Sequence, residues 1–149
     1  NKHDTIESNP AGDFGIVRSL QVMDDDVDTA VTGDRVGLAL RNLKEEALHK
    51  GCMIIHQDSD AIESHESTHF RLIEAPFQKR GLSLGDVVHA AVDLQFNVGR
   101  VREVEGDSVL IDWESPLLMR KQGAEPILIV HLDAVPMRIM GIASEMASA

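Results

Sequence analysis

Five residues match a metal-site pattern. His65-Glu66-Ser67-Thr68-His69 reads H-E-x-x-H, in which two histidines one helical turn apart bind Zn²⁺ and the Glu acts as general base. That chemistry needs a helix and a third ligand. Ser67 and Thr68 are poor helix-interior residues, and the segment runs into Thr68-His69-Phe70-Arg71-Leu72-Ile73-Glu74-Ala75, which reads as a strand. Zinc hydrolysis through His65, Glu66 and His69 is therefore the alternative reading, and a strand the leading one. Asn1-Lys2-His3-Asp4 matches the N-K-x-D tetrapeptide that reads guanine in GTPases. The phosphate-cradling loop G-x-x-x-x-G-K-(S/T) is absent from the chain, so GTP hydrolysis is not expected. Asp24-Asp25-Asp26 lacks the Gly and distal Glu of a calcium loop and reads as a solvated hairpin turn. No Ser-His-Asp or paired-carboxylate arrangement emerges from the spacing, and no cofactor is implied.

The cations are grouped. Lys79-Arg80, Arg100 and Arg102, and Arg120-Lys121 stand out. Arg100 and Arg102 lie two apart on one strand and share a face. A few such residues suffice for positioning contacts to phosphates; the plain alternative is solvated surface charge. The overall net charge of -11 excludes broad, non-specific nucleic-acid binding, though not a local basic patch. The lone cysteine, Cys52, rules out an internal disulfide and fits a reducing cytosol. In an apolar stretch beside Met53 and Ile54, it reads as a small buried hydrophobe. No apolar run approaches the ~18 residues of a membrane helix, and no signal peptide is visible.

The elements that would position these groups are strands. Residues 1–13 read as polar loop, Phe14 to Val22 as a strand, and Val36 to Leu40 as a strand buried on both faces. Asn42, with Glu45 three residues on, predicts a capped helical turn that Lys50-Gly51 ends, before a strand from Cys52 to Ile55. Val87 to Gln95 reads as one strand, and Phe96 to Glu105 with Ser108 to Trp113 as a hairpin about Gly106-Asp107. Ser115-Pro116 should break the second arm. Ile127 to Leu132 and Met137 to Ala143 close the series. Short strands joined by tight turns, with no long helical period, predict an all-β protein built of antiparallel barrels.

The stretch Ala30 to Ile55 also resembles a known family. Ala30, Gly33, Asp34, Val36, Gly37, Leu40 and Gly51 fall on the pattern of the second half of domain II of translation GTPases: elongation factor Tu, archaeal elongation factor one alpha and the selenocysteine-specific elongation factors. Val17-Arg18-Ser19-Leu20-Gln21 followed by Asp24-Asp25-Asp26 resembles the lead-in of archaeal members, including relatives with a degenerate GTPase domain. The match covers residues 16–55; residues 68–146 fit the following domain III only loosely.

The resemblance implies a partial domain II-like barrel over 1–57, a linker over 58–67 and a domain III-like barrel over 68–149. It implies a non-catalytic, cytoplasmic region that faces tRNA or the ribosome, since domain II of the family meets the aminoacylated end and domain III the tRNA stem. Lys79, Arg80, Arg100 and Arg102 are the expected contact residues. A GTPase domain in cis or in trans is an implied partner. The opening strands of domain II do not precede Ala30, and the chain starts at Asn1 rather than Met, as a fragment would. A half barrel leaves strand edges open, so pairing with a second chain through residues 1–57 is also expected. The other function class is an acidic protein–protein interaction module.

Overall fold

A computed structural model describes residues 1–122 and 126–145. The chain forms two compact units, Asn1–Ala61 and Ile62–Ala149. The strands of both are antiparallel, as the turn-punctuated sequence predicts.

The first unit is a five-stranded sheet. β1 (Thr5–Asn9) pairs with β2 (Asp13–Val22) and with β5 (Met53–His56), while β3 (Asp25–Val27) and β4 (Val36–Arg41) flank β2 on opposite sides. Its core is small: Ile6, Val17 and Leu20, with Val36 and Leu40 packed against them. β4 is not buried on both faces. Val36 and Leu40 point inward, Gly37 and Ala39 are exposed, and Leu38 is 40% exposed. The outward residues are small, so a one-faced strand imitates a continuous apolar run.

β1 lies where the sequence suggests a polar loop. Ile6 and Ser8 face inward, and Ser8 is buried because its hydroxyl donates to the Ala47 carbonyl at 2.6 Å. Burial of a satisfied hydroxyl hides a strand from a hydrophobicity count. The connector between β4 and β5 holds one 3-10 turn, Glu45–Ala47, preceded by Lys44. Asn42 does not cap it: it adopts φ 63°, and the Lys44 N–H donates instead to the Asp13 carboxylate at 2.8 Å. Gly51 takes φ 96°, as expected of the Lys50-Gly51 stop. Cys52 is half-buried and precedes β5 rather than lying within it. The hairpin after β2 turns through Met23 and Asp24, both at positive φ. This matches a two-residue turn that follows the strand twist.

The second unit is a closed six-stranded barrel. Its strands are β6 (Ile62–Glu74), β7 (Val87–Val92), β8 (Gln95–Glu105), β9 (Ser108–Arg120), β10 (Ile127–Val130) and β11 (Ile139–Glu145). Around the barrel they run β10-β11-β6-β9-β8-β7. Inward residues from every strand fill it, among them Phe70, Val88, Val101, Leu117, Ile129 and Met140. Trp113 meets Phe70 edge-on at 6.1 Å between ring centroids, and its indole N–H donates to the buried Thr68 hydroxyl at 3.1 Å. An edge-to-face pair with its polar handle satisfied is a strong core element.

The hairpin at Gly106-Asp107 forms as read, with Gly106 at φ 62°. Three other boundaries differ. Val87 to Gln95 is not one strand, because the chain reverses at Asp93-Leu94, where Asp93 reaches φ 51° without a Gly or Pro to announce it. Pro116 does not end β9. The β6–β9 ladder pairs His65 with Leu117 and then Ser67 with Asp112, so residues 113–116 bulge from that ladder opposite Glu66 while Trp113 stays paired with Gly99 on β8, and Pro116 sits in the bulge. β6 starts at Ile62 and so takes in residues 62–67.

Candidate nucleic-acid interface

Two of the four expected contact residues, Arg80 and Arg100, converge on one turn, and Lys79 adjoins Arg80 in sequence. After β6 the chain loops through residues 75–86. Gln78 fixes its middle: the side-chain NH₂ donates to the Met137 and Ile139 carbonyls at 2.9 and 3.1 Å. Its carbonyl oxygen accepts from the Lys79 and Arg80 N–H groups at 3.0 and 3.2 Å. One amide thus holds the Lys79-Arg80 backbone to the chain just before β11.

The loop ends in Ser83-Leu84-Gly85-Asp86, closed by the Ser83 N–H donating to the Asp86 carboxylate at 2.9 Å. Gly85 turns the backbone at φ 86°. The turn extends the β7–β8 ladder: Gly85 N–H donates to Val101 and Val101 N–H to Asp86, at 2.8 and 2.9 Å.

Two guanidinium groups flank this turn from different elements. Arg80 donates to Asp86 Oδ1 at 2.9 Å from within the loop. Arg100, on β8 opposite Val87, donates to the Gly85 carbonyl at 3.0 Å. Arg100 is spent on a neutral oxygen and keeps its whole charge. Lys79, next to Arg80 in sequence, is exposed. The two guanidinium groups bracket the Asp86 carboxylate on an otherwise acidic chain.

Arg102 shares the outer face of β8 with Arg100 but is held differently. A bulge lies between Val101 and Glu103, and Arg102 Nε donates to Asp112 on β9 at 2.6 Å. This pair is largely solvated and contributes little to stability. It does, however, neutralise Arg102 locally, so Arg102 stands beside the convergent group rather than in it. Arg120 pairs with Asp93 at 3.0 Å. Gln78, Asp86 and His131 are the site residues that sequence reasoning missed. Ser83-x-x-Asp86 is a visible local turn pattern; nothing in the sequence marks the other two.

The H-E-x-x-H residues lie on β6, not on a helix. Four residues along a strand span about 13 Å, beyond the reach of one metal ion held by both His65 and His69. His65 instead has Glu63 at 3.4 Å, and His69 is exposed. No cluster of three potential ligands exists among the described residues. The nearby 360 Å³ pocket is lined by Glu66, Ser67, Asp112, Trp113, Glu114 and Pro116, a negative surface unsuited to phosphate. Asp4 of the N-K-x-D match lies 3.1 Å from His56 Nε2 and precedes β1 rather than following a strand. That departs from the context in which guanine is read.

No protein-family model matches the chain. A selenocysteine-specific elongation factor of Methanocaldococcus jannaschii is 26% identical over 144 residues, which cover 84% of this chain and 31% of the factor. The chain is homologous to selenocysteine-specific elongation factors. An uncharacterized protein of the same organism is 25% identical over 115 residues, 77% of this chain and 36% of the relative. The chain thus spans about a third of the length of the curated relatives it matches.

Solved structures carry the same fold. The apo form of translation elongation factor SelB from Methanococcus maripaludis superposes with a TM-score of 0.80 at 19% identity, over 99% of this chain and 36% of that one. A bacterial selenocysteine-specific elongation factor gives 0.75 at 17% identity, over 97% and 22%. The elongation-factor-like barrel is therefore this chain's architecture. Among the described residues, no helix is long and apolar enough to cross a membrane.

Proposed function

We propose that this chain is a non-catalytic, tRNA-facing portion of an elongation-factor-like protein, with its first unit a partial domain II-like barrel and its second a domain III-like barrel. Lys79, Arg80 and Arg100 are the phosphate contacts and Arg102 an auxiliary one. The observation that carries this reading is the convergence of Arg80 and Arg100 on the Gly85-Asp86 turn, with Lys79 exposed next to Arg80 in sequence, in a chain whose homologue is a selenocysteine-specific elongation factor. The geometry suits positioning on a phosphate backbone, so selectivity for an RNA would come from shape and from neighbouring domains. The ribosome, a GTPase domain in cis or in trans, and a cytoplasmic setting belong to the same reading.

Titration of fluorescent tRNA against the chain at several salt concentrations tests it. Three phosphate contacts predict a slope of log K against log salt of roughly -2 to -3, falling by about one for each cation removed.

A second reading, a protein–protein interaction module, draws on one observation. Outward apolar residues align in register across five barrel strands: Ile73 with Ile142, Ile142 with Leu128, Leu128 with Ala91, and Ala91 with Phe96. Ile73 is 67% and Phe96 53% exposed. Docking on a GTPase domain, or pairing of two copies, would use such surface or the open strands of residues 1–57. Sedimentation of the chain alone separates self-association from docking on another protein.

A further inference from the structure

The Gly85-Asp86 turn holds more than a pair of arginines. Asp86 is only 13% exposed, and two groups face the same oxygen, Oδ1: Arg80 at 2.9 Å and His131 Nε2 at 3.6 Å. His131 is 4% exposed, and its Nε2 has no hydrogen-bond partner. The Asp133 N–H donates to Nδ1 at 3.2 Å. With Nδ1 accepting, the neutral ring carries its proton on Nε2, so a buried N–H faces a carboxylate just outside bonding distance. The charged groups facing this pair are Arg80 on Asp86 and, one step further, Arg100 on Gly85; Asp133 and Arg138 meet His131 through their backbones, the Arg138 carbonyl accepting the His131 backbone N–H.

Arg80 is 48% exposed and Asp86 is not. The guanidinium can therefore turn outward at little cost, since half-exposed pairs contribute little. The carboxylate stays behind, 13% exposed and held on Oδ2 by the Ser83 N–H, where losing the partner of Oδ1 is costly. A movement of less than 1 Å would bring Oδ1 to within ordinary hydrogen-bond range of Nε2.

We propose that the Gly85-Asp86 turn is an oxyanion exchange site: a phosphate group takes Arg80 from Asp86, and the Nε2–H of His131 then takes its place on Asp86. His131 is a positioning residue, a reserve donor that never touches the ligand. In the ligand-free state Arg80 is masked, which discourages adventitious anions. When a phosphate binds, the hydrogen bond gained inside offsets the ion pair lost outside. The inference rests on the tRNA reading for its biological ligand, but not for its chemistry.

The test uses inorganic pyrophosphate and the whole chain, labelled with ¹⁵N. Pyrophosphate should move the Arg80 Nε–Hε and His131 Nε2–Hε2 resonances along one binding curve, with Hε2 shifting downfield as its hydrogen bond forms. Arg80→Ala should abolish the response at His131. His131→Phe should weaken pyrophosphate binding by roughly tenfold. Asp86→Asn, which keeps an acceptor for the Ser83 N–H, should tighten it several-fold; this holds even if the Phe variant folds poorly.

An Arg80 response with a silent His131, no response at either, or wild-type affinity in Asp86→Asn overturns the proposal. Labelled tRNA is titrated in parallel. Pyrophosphate exchange without tRNA binding leaves the anion site standing and removes the tRNA reading. tRNA binding without exchange does the reverse.

Discussion

Gly99 sits on β8 beneath the barrel's central aromatic pair, and replacing it with alanine gives a sharp test of the packing. A Cβ built there lies 2.5 Å from Trp113 Cε3 and 2.6 Å from both Trp113 Cζ3 and Ile111 Cγ2. Ordinary carbon contacts need about 3.5–4.0 Å, so neighbours must yield by roughly 1 Å. The indole cannot do so freely, because its N–H is bonded to Thr68 and its ring rests edge-on against Phe70. Ile111 is equally confined in the same core. Overpacking of this kind costs about 2 kcal/mol, which for a domain of this size lowers the melting midpoint by about 8–16 °C.

The assay is built in. Trp113 is the only tryptophan, so its fluorescence reports unfolding of the second unit alone. Gly81→Ala is the control: its added Cβ would meet only the Glu74 carboxylate, at 3.5 Å, and the midpoint should be unchanged. A Gly99→Ala protein melting within about 2 °C of wild type, under the same conversion, would refute the account of Trp113 packing.

Thr68→Val should destabilise the same unit by about 1–3 kcal/mol, because the buried indole N–H loses its acceptor; tryptophan-monitored urea unfolding measures it. Ser8→Ala leaves the Ala47 carbonyl unpaired in the first unit. It should cost about 1–2 kcal/mol and speed amide exchange around Glu45–Ala47 without altering the fluorescence melt. Zinc titrated by calorimetry should show no stoichiometric tight site, and His69→Ala should change nothing. Tight 1:1 binding lost on that substitution would restore the metal reading.

The sequence announces its architecture where the turn chemistry is unambiguous. Gly106-Asp107 is a hairpin because Gly supplies positive φ between two alternating runs, and the ladder from Val101 to Val109 follows. Asp93-Leu94 makes an equally tight reversal with no such residue; only the closed barrel demands it. β1 escapes notice because Ser8 is buried through a hydrogen bond, not through hydrophobicity. Asn42 carries the composition of a helix cap, yet Asp13, far away in sequence, takes over the backbone donor of Lys44. Pro116 reads as a strand breaker because sequence cannot show that a bulge will accommodate it.

The basic residues were legible singly. Their gathering was not, since only the β7–β8 pairing, fixed by long-range topology, brings Arg100 to the turn that Arg80 flanks. His131 gives no sequence signal because its role depends wholly on lying 3.6 Å from Asp86.

The central claim is tested most directly by binding labelled tRNA to wild type and to Arg80→Glu/Arg100→Glu, at low and at moderate salt. The account predicts saturable, salt-sensitive binding by the wild type, weakened at least tenfold by the double reversal while the tryptophan melt stays in place. No wild-type binding at low salt, where electrostatic attraction is strongest, or equal binding by the double variant, would contradict it.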